Sequence, residues 1–100
     1  MRFASALVSL EDSRQEVGCI AYDWTVDPLL PGRMHAFESW ASEAALGAHL
    51  RHSSYRAMVD YLGAHELVGF DVHVYSVAGM ETVLDEEGQP RDEIFGVKVA

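Results

Sequence analysis

Residues 33–55 read RMHAFESWASEAALGAHLRHSSY, and inside this stretch the apolar spacing changes from two residues to between three and four. Arg33 to Trp40 alternates, with Met34, Ala36, Glu38 and Trp40 on one side, as a strand requires. Ser42 then suits a helix N-cap, because its hydroxyl can accept from an orphan amide of the first turn, and Glu43 suits the positive end of the helix dipole. The helix runs to about Arg51 and carries His49 on the side that holds Leu46 and Leu50. Ser53 or Ser54 restarts a helix in which Tyr55, Met58, Val59 and Leu62 fall at i, i+3, i+4 and i+7, and Gly63 ends it. A functional pocket is expected where this strand meets this helix.

Upstream, Cys19 to Val26 is rich in β-formers and places Ile20, Tyr22, Trp24 and Val26 on one face. Asp27-Pro28 and Pro31-Gly32 interrupt any ladder, and the short loop they form predicts an antiparallel hairpin with the strand ending at Trp40. Before it, Phe3, Leu7 and Leu10 recur at helical spacing, and Gly18 ends that helix because it takes positive φ without a Cβ penalty. Downstream, Leu67 to Val77 predicts a strand with Phe70, Val72 and Val74 opposite Asp71, His73 and Tyr75. Residues 78–92 read as an acidic loop, and Glu93 to Val99 as a further strand.

One hundred residues, 49% of them apolar, give one small domain with enough material for a core. The formal charge of −9 repels phosphate backbones and anionic lipid, which argues against nucleic acid and membrane surfaces as partners. No apolar run approaches a membrane span, and the N-terminus lacks a signal-peptide core. Cys19 has no second cysteine to pair with, so a reducing, cytoplasmic setting is expected. His49-x-x-His52 has helical i, i+3 spacing, and His35, His65 and His73 are also present, but no third ligand is fixed by spacing; no metal is expected.

Gly18-Cys19, Tyr22, Asp27-Pro28, Pro31-Gly32-Arg33, Phe37-Glu38-x-Trp40, Glu43-Ala44-Ala45-Leu46 and Ala48-His49-Leu50 together resemble the antibiotic biosynthesis monooxygenase family, including its quinol monooxygenase-like members, over about Phe3 to Val77. The resemblance implies an α+β, ferredoxin-like antiparallel sheet with helices on one face, and a homodimer joined sheet to sheet into an α/β barrel. Family members open with a strand before the first helix, and this chain starts directly in the helix. The run Glu93 to Val99 is therefore expected to fill the vacant central slot, as in a circular permutation, from its own subunit or from the partner.

The resemblance also implies oxidation of a quinol or related polycyclic aromatic by dioxygen, without metal, flavin or other cofactor. Such chemistry needs an apolar cavity, a base for a phenolic proton and hydrogen bonds to the resulting anion. His49 is the candidate base; its alternative is a satisfied internal hydrogen-bonding group. Trp40, Tyr22, Glu38, Met34 and Tyr55 are the candidate substrate-binding residues. For Trp40 the alternative is core packing, for Tyr22 a structural hydrogen bond, and for Glu38 an ion pair. Haem-degrading relatives carry a histidine ligand where this chain has Val59, so haem degradation is set aside. The active-site asparagine of the anthrone oxygenases is Ala36 here, which keeps open a second reading: a non-catalytic, dimeric small-molecule-binding or stress-related protein of the same fold.

Overall fold

The computed structural model of the protein describes residues 10–65 and 67–99, in two compact units, Met1–Phe70 and Asp71–Ala100. In the first unit, β1 (Cys19–Val26) pairs antiparallel with β2 (Met34–Trp40), so that Tyr22 lies opposite Glu38 and Trp24 opposite Ala36. This is the expected hairpin. A bulge between Cys19 and Ala21 displaces Ile20 from the alternation, because an unpaired residue turns the strand locally. Ile20 is consequently exposed rather than aligned with Tyr22 and Trp24.

The hairpin loop is organised by Asp27. One carboxylate oxygen accepts the Leu29 and Leu30 amides at 2.8 and 2.9 Å, and the other lies 2.7 Å from His35 Nε2. The His35 hydrogen bond first, then the two amides, lower the Asp27 pKa from 3.8 to about 2. A carboxyl that is more acidic in the folded state stabilises the fold above its unfolded pKa and loses that contribution as pH falls through the folded one. Asp27 should therefore titrate near pH 2 by carboxyl NMR, and Asp27→Asn should remove one component of the stability lost between about pH 4 and 2. A midpoint at the ordinary aspartate value would show that the loop does not hold this geometry.

Residues 10–14 are helical (α1), and the expected segment around Phe3 and Leu7 lies outside the described residues. Arg14 ties the end of α1 to β1, donating from Nε to the Tyr22 carbonyl at 2.8 Å and from Nη2 to Asp23 at 2.9 Å. The chain then turns with the Cys19 amide on the Glu16 carbonyl, and Gly18 has φ +85°. A Cβ at Gly18 would come within 2.5 Å of Ala45 Cβ, so glycine is needed both for the backbone conformation and for the approach of α2.

The first long helix of the pair, α2, spans Glu43–Arg51, capped by Ser42 Oγ accepting from the Ala45 amide. The second, α3, spans Ser53–Ala64, capped by the His52 side chain accepting from the Ser54 amide. It continues one residue beyond Gly63, the expected end. Among the described residues the buried side chains are Tyr22 and Met58, together with Ser13, His49 and Ser54. Burying the three polar groups requires each to find a partner. No helix among the described residues is long and apolar enough to cross a membrane.

The family's α+β character, with antiparallel pairing and helices, is present, but two expected strands are not. Residues 67–82 form no strand, and Val68, Phe70, Val72 and Val74 are exposed. Alternation specifies which side of a strand is apolar, whereas the ladder itself needs a neighbour to pair with. The run Glu93 to Val99 likewise does not fill a central slot. It folds on itself as β3 (Glu93–Ile94) and β4 (Val97–Lys98), with Glu93 opposite Lys98 and Ile94 opposite Val97. Phe95 and Gly96, at φ 50° and 77°, make the two-residue turn with positive φ that suits the twist of a tight hairpin. The circular-permutation-like arrangement is thereby replaced by a local hairpin. The Glu81 carboxylate steadies this unit, accepting from Arg91 Nη1 at 3.3 Å and from the Phe95 amide at 3.1 Å.

Candidate functional site

The bulge, the hairpin register and the cap of α2 bring His49 against three aromatic rings. Its imidazole stacks on Trp40, with centroids 4.6 Å apart and planes at 29°. Tyr22 and Tyr55 meet it edge-on at 5.3 and 5.6 Å. The side chain of His49 is fully enclosed. Four of the residues expected at the site thus converge: Trp40 from the end of β2, Tyr22 from β1, His49 from α2 and Tyr55 from α3.

Glu38 joins them at the rim. Its Oε1 accepts the Trp40 indole N–H at 3.1 Å and lies 3.7 Å from His49 Nε2, with the side chain about 30% exposed. That separation is an ion-pair distance rather than a hydrogen bond. His49 Nε2 is accordingly a buried nitrogen without a hydrogen-bond partner, which a protein interior rarely tolerates. Met34 does not join the group. It pairs with Val26 at the other end of β2, roughly 20 Å along the strand from Trp40 at about 3.3 Å per residue.

The residue that sequence reasoning missed is Glu16. Its Oε2 lies 3.0 Å from His49 Nδ1 and accepts the Ser54 hydroxyl at 2.9 Å, while Ser13 Oγ donates to Ser54 at 3.2 Å. Burial raises the Glu16 pKa, but hydrogen bonds from His49 and Ser54 and the nearby charges of His49 and His52 outweigh it, so the net shift is downward. The same surroundings act on two other groups. Burial, with Glu16 and Glu38 adding to it, raises the Cys19 thiol and the Tyr22 phenol. Both shifts favour the neutral, protonated form. No local signal links Glu16 to His49, because the two are 33 residues apart and meet only when the Gly18 turn packs on Ala45.

The rings of Tyr22, Trp40 and Tyr55 stand around the His49 imidazole. An open cleft of about 630 Å³ is lined by Asp12, Gln15, Glu16, Val17, Ala48 and His52. Among the described residues no three histidine, cysteine, aspartate or glutamate side chains are grouped to hold a metal ion.

Chemically, the arrangement offers an enclosed imidazole with one nitrogen on a carboxylate and the other unpaired, walled by flat aromatic surfaces. Compared with known families, the chain matches the model described as antibiotic biosynthesis monooxygenase over residues 2–61. That span contains Glu16, Tyr22, Glu38, Trp40, His49 and Tyr55, and ends before Val77, to which the resemblance in the sequence extends. No curated protein and no solved structure matches the chain.

Proposed function

The chain belongs to the antibiotic biosynthesis monooxygenase family, a ferredoxin-like α+β domain, and from that membership we propose that it oxidises a quinol or related polycyclic aromatic with dioxygen, without a cofactor. The observation that carries this reading is the unpaired Nε2 of the enclosed His49 between Trp40, Tyr22 and Tyr55. In the proposed reaction a phenolic hydroxyl displaces Glu38 from the neighbourhood of Nε2. Breaking the Trp40 to Glu38 hydrogen bond opens the way, since these two side chains stand at the rim. His49 then takes the phenolic proton, which general-base catalysis by histidine near neutral pH requires.

The electron-rich anion supplies the electrons to dioxygen. For a hydroquinone, one oxygen atom enters the ring to give the hydroxyquinone, and the other leaves as water. The Trp40 indole, freed from Glu38, provides a donor for the developing anion, and the rings exclude water from it.

The test is oxygen uptake with menadiol or a simple hydroquinone in air, compared with autoxidation alone. Uptake above autoxidation that saturates with substrate is the expected result; no excess over a panel of such substrates would defeat the enzyme reading. The complete enclosure of His49 favours a second reading, a non-catalytic small-molecule-binding member of the family, for which saturable binding of the same aromatics without turnover is the signature.

Family members are commonly dimeric, and a homodimer through the sheet face turned away from Tyr22 is part of the proposal. Phe37, on that face by strand alternation, is 64% exposed, as an interface residue of the isolated chain would be. A reducing, cytoplasmic setting suits the single free Cys19.

A further inference from the structure

We propose that Glu16 is the positioning residue of His49: it fixes the imidazole with its proton on Nδ1, so that Nε2 presents a lone pair to substrate. The proposal rests on the reading of His49 as a base, and it adds a residue from outside the strand and helix that carry that base.

Three observations support it. Glu16 Oε2 is within hydrogen-bond distance of Nδ1, at 3.0 Å, whereas Nε2 has no partner. An ionised carboxylate can only accept, so the hydrogen of this bond belongs to Nδ1. A neutral imidazole carries one N–H, and Nε2 is then the acceptor. The carboxylate is itself held: Ser54 Oγ donates to the same oxygen at 2.9 Å, and Ser13 Oγ donates to Ser54 at 3.2 Å. Ser13 and Ser54 are both buried. The donors converge on the Glu16 carboxylate, Ser13 through Ser54 from one side and His49 Nδ1 from the other, and Nε2 is left as the free nitrogen.

The charged and titratable groups around the imidazole come from four elements. Glu16 faces Nδ1 from the turn before β1, and Glu38 stands 3.7 Å from Nε2 on β2. Tyr22 and Tyr55 present ring edges from β1 and α3. His52 Nδ1 accepts the Ser54 amide at the start of α3 and also lies 3.0 Å from Ser54 Oγ, so that His52 holds the serine whose hydroxyl reaches Glu16 at 2.9 Å. When His49 gains a proton on Nε2 the resulting imidazolium lies beside Glu16, so the carboxylate both orients the base and stabilises its conjugate acid.

The first measurement needs no variant. Long-range nitrogen–proton correlation on ring-labelled protein, at a pH where His49 is neutral, should show Nδ1 protonated and Nε2 bare. A ring protonated on Nε2 would overturn the proposal. In Glu16→Ala the His49 signals should move toward the Nε2-protonated form. In Glu16→Gln, whose amide oxygen can still accept from Nδ1 and Ser54, they should stay.

With a substrate that is turned over, Glu16→Ala should lower kcat on the order of 100-fold with little change in KM. Glu16→Gln should restore part of it, with the acid limb of its kcat profile moved to lower pH because the imidazolium has lost its anion. Equal kcat in wild type and Glu16→Ala would overturn the proposal. A wild-type protein with no oxygen uptake above autoxidation would sink the base reading instead, and the ring measurement would still decide what Glu16 does.

Discussion

His49→Gln is expected to lower substrate-dependent oxygen uptake by 10²- to 10⁴-fold, the range contributed by a general base, while leaving the far-ultraviolet spectrum and the oligomeric state unchanged. Glutamine is close to histidine in size, and its amide can donate to Glu16 as Nδ1 does, so the carboxylate keeps a partner. What it lacks is a basic ring nitrogen to accept the phenolic proton. At about 1.4 kcal/mol per tenfold, the loss corresponds to roughly 3 to 5 kcal/mol of transition-state stabilisation. That is too much to arise from a small shift of Trp40. Wild-type uptake in His49→Gln would remove the base and favour a protein that binds aromatics without turning them over. Unchanged affinity for the aromatic in the variant, with uptake lost, separates chemistry from binding.

Gly18→Ala is expected to destabilise the fold by about 2 to 4 kcal/mol, combining a side chain forced to positive φ with an overpacked contact. Two independent facts meet at this residue: φ is +85°, and an added Cβ would lie 2.5 Å from Ala45 Cβ. For a chain of this size the melting temperature should fall by about 8 °C or more. Ala45→Gly in the same chain relieves the contact but not the backbone strain, and it adds the helix cost of glycine. The pair should therefore show favourable coupling of at least about 0.5 kcal/mol without full recovery. A melting temperature within a degree of wild type in Gly18→Ala would mean that the turn does not rest on α2. The same substitution should disturb His49, because Glu16 sits two residues before the glycine and reaches the imidazole through this turn.

The parts of the molecule that could be read from the chain are those governed by near neighbours. Tyr22 and Trp24 on one face of a strand, the Asp27-Pro28 break, the Ser42 cap and the restart after His52 all follow from spacing or from one side chain meeting a nearby amide. The site was partly legible for the same reason. Trp40 and His49 stand on adjoining elements whose joint is short, so strand and helix geometry alone bring them to one side.

Readings that depended on distant partners failed or were incomplete. Phe70, Val72 and Val74 alternate as a strand should, yet they are exposed, because alternation cannot supply the neighbour that a ladder needs. Phe95-Gly96 was read as the middle of a strand, and the positive φ of both residues makes it a turn. Phenylalanine gives little warning of that conformation, since side chains with a Cβ seldom adopt it. Met34 shares a strand face with Trp40 but lies at the opposite end of the ladder from it.

The amino-acid sequence by itself determined the family, the hairpin, the helix pair and the residues that can do chemistry, because periodicity, caps and turn residues act over a few positions. Only the tertiary structure decided that Glu16 is the partner of His49 and that Nε2 is left unpaired. It also decided that residues 93–99 close on themselves instead of completing a sheet. The reason is physical: a carboxylate and an imidazole 33 residues apart carry no local mark of each other. Their meeting depends on whether one glycine lets a turn come close enough to a helix.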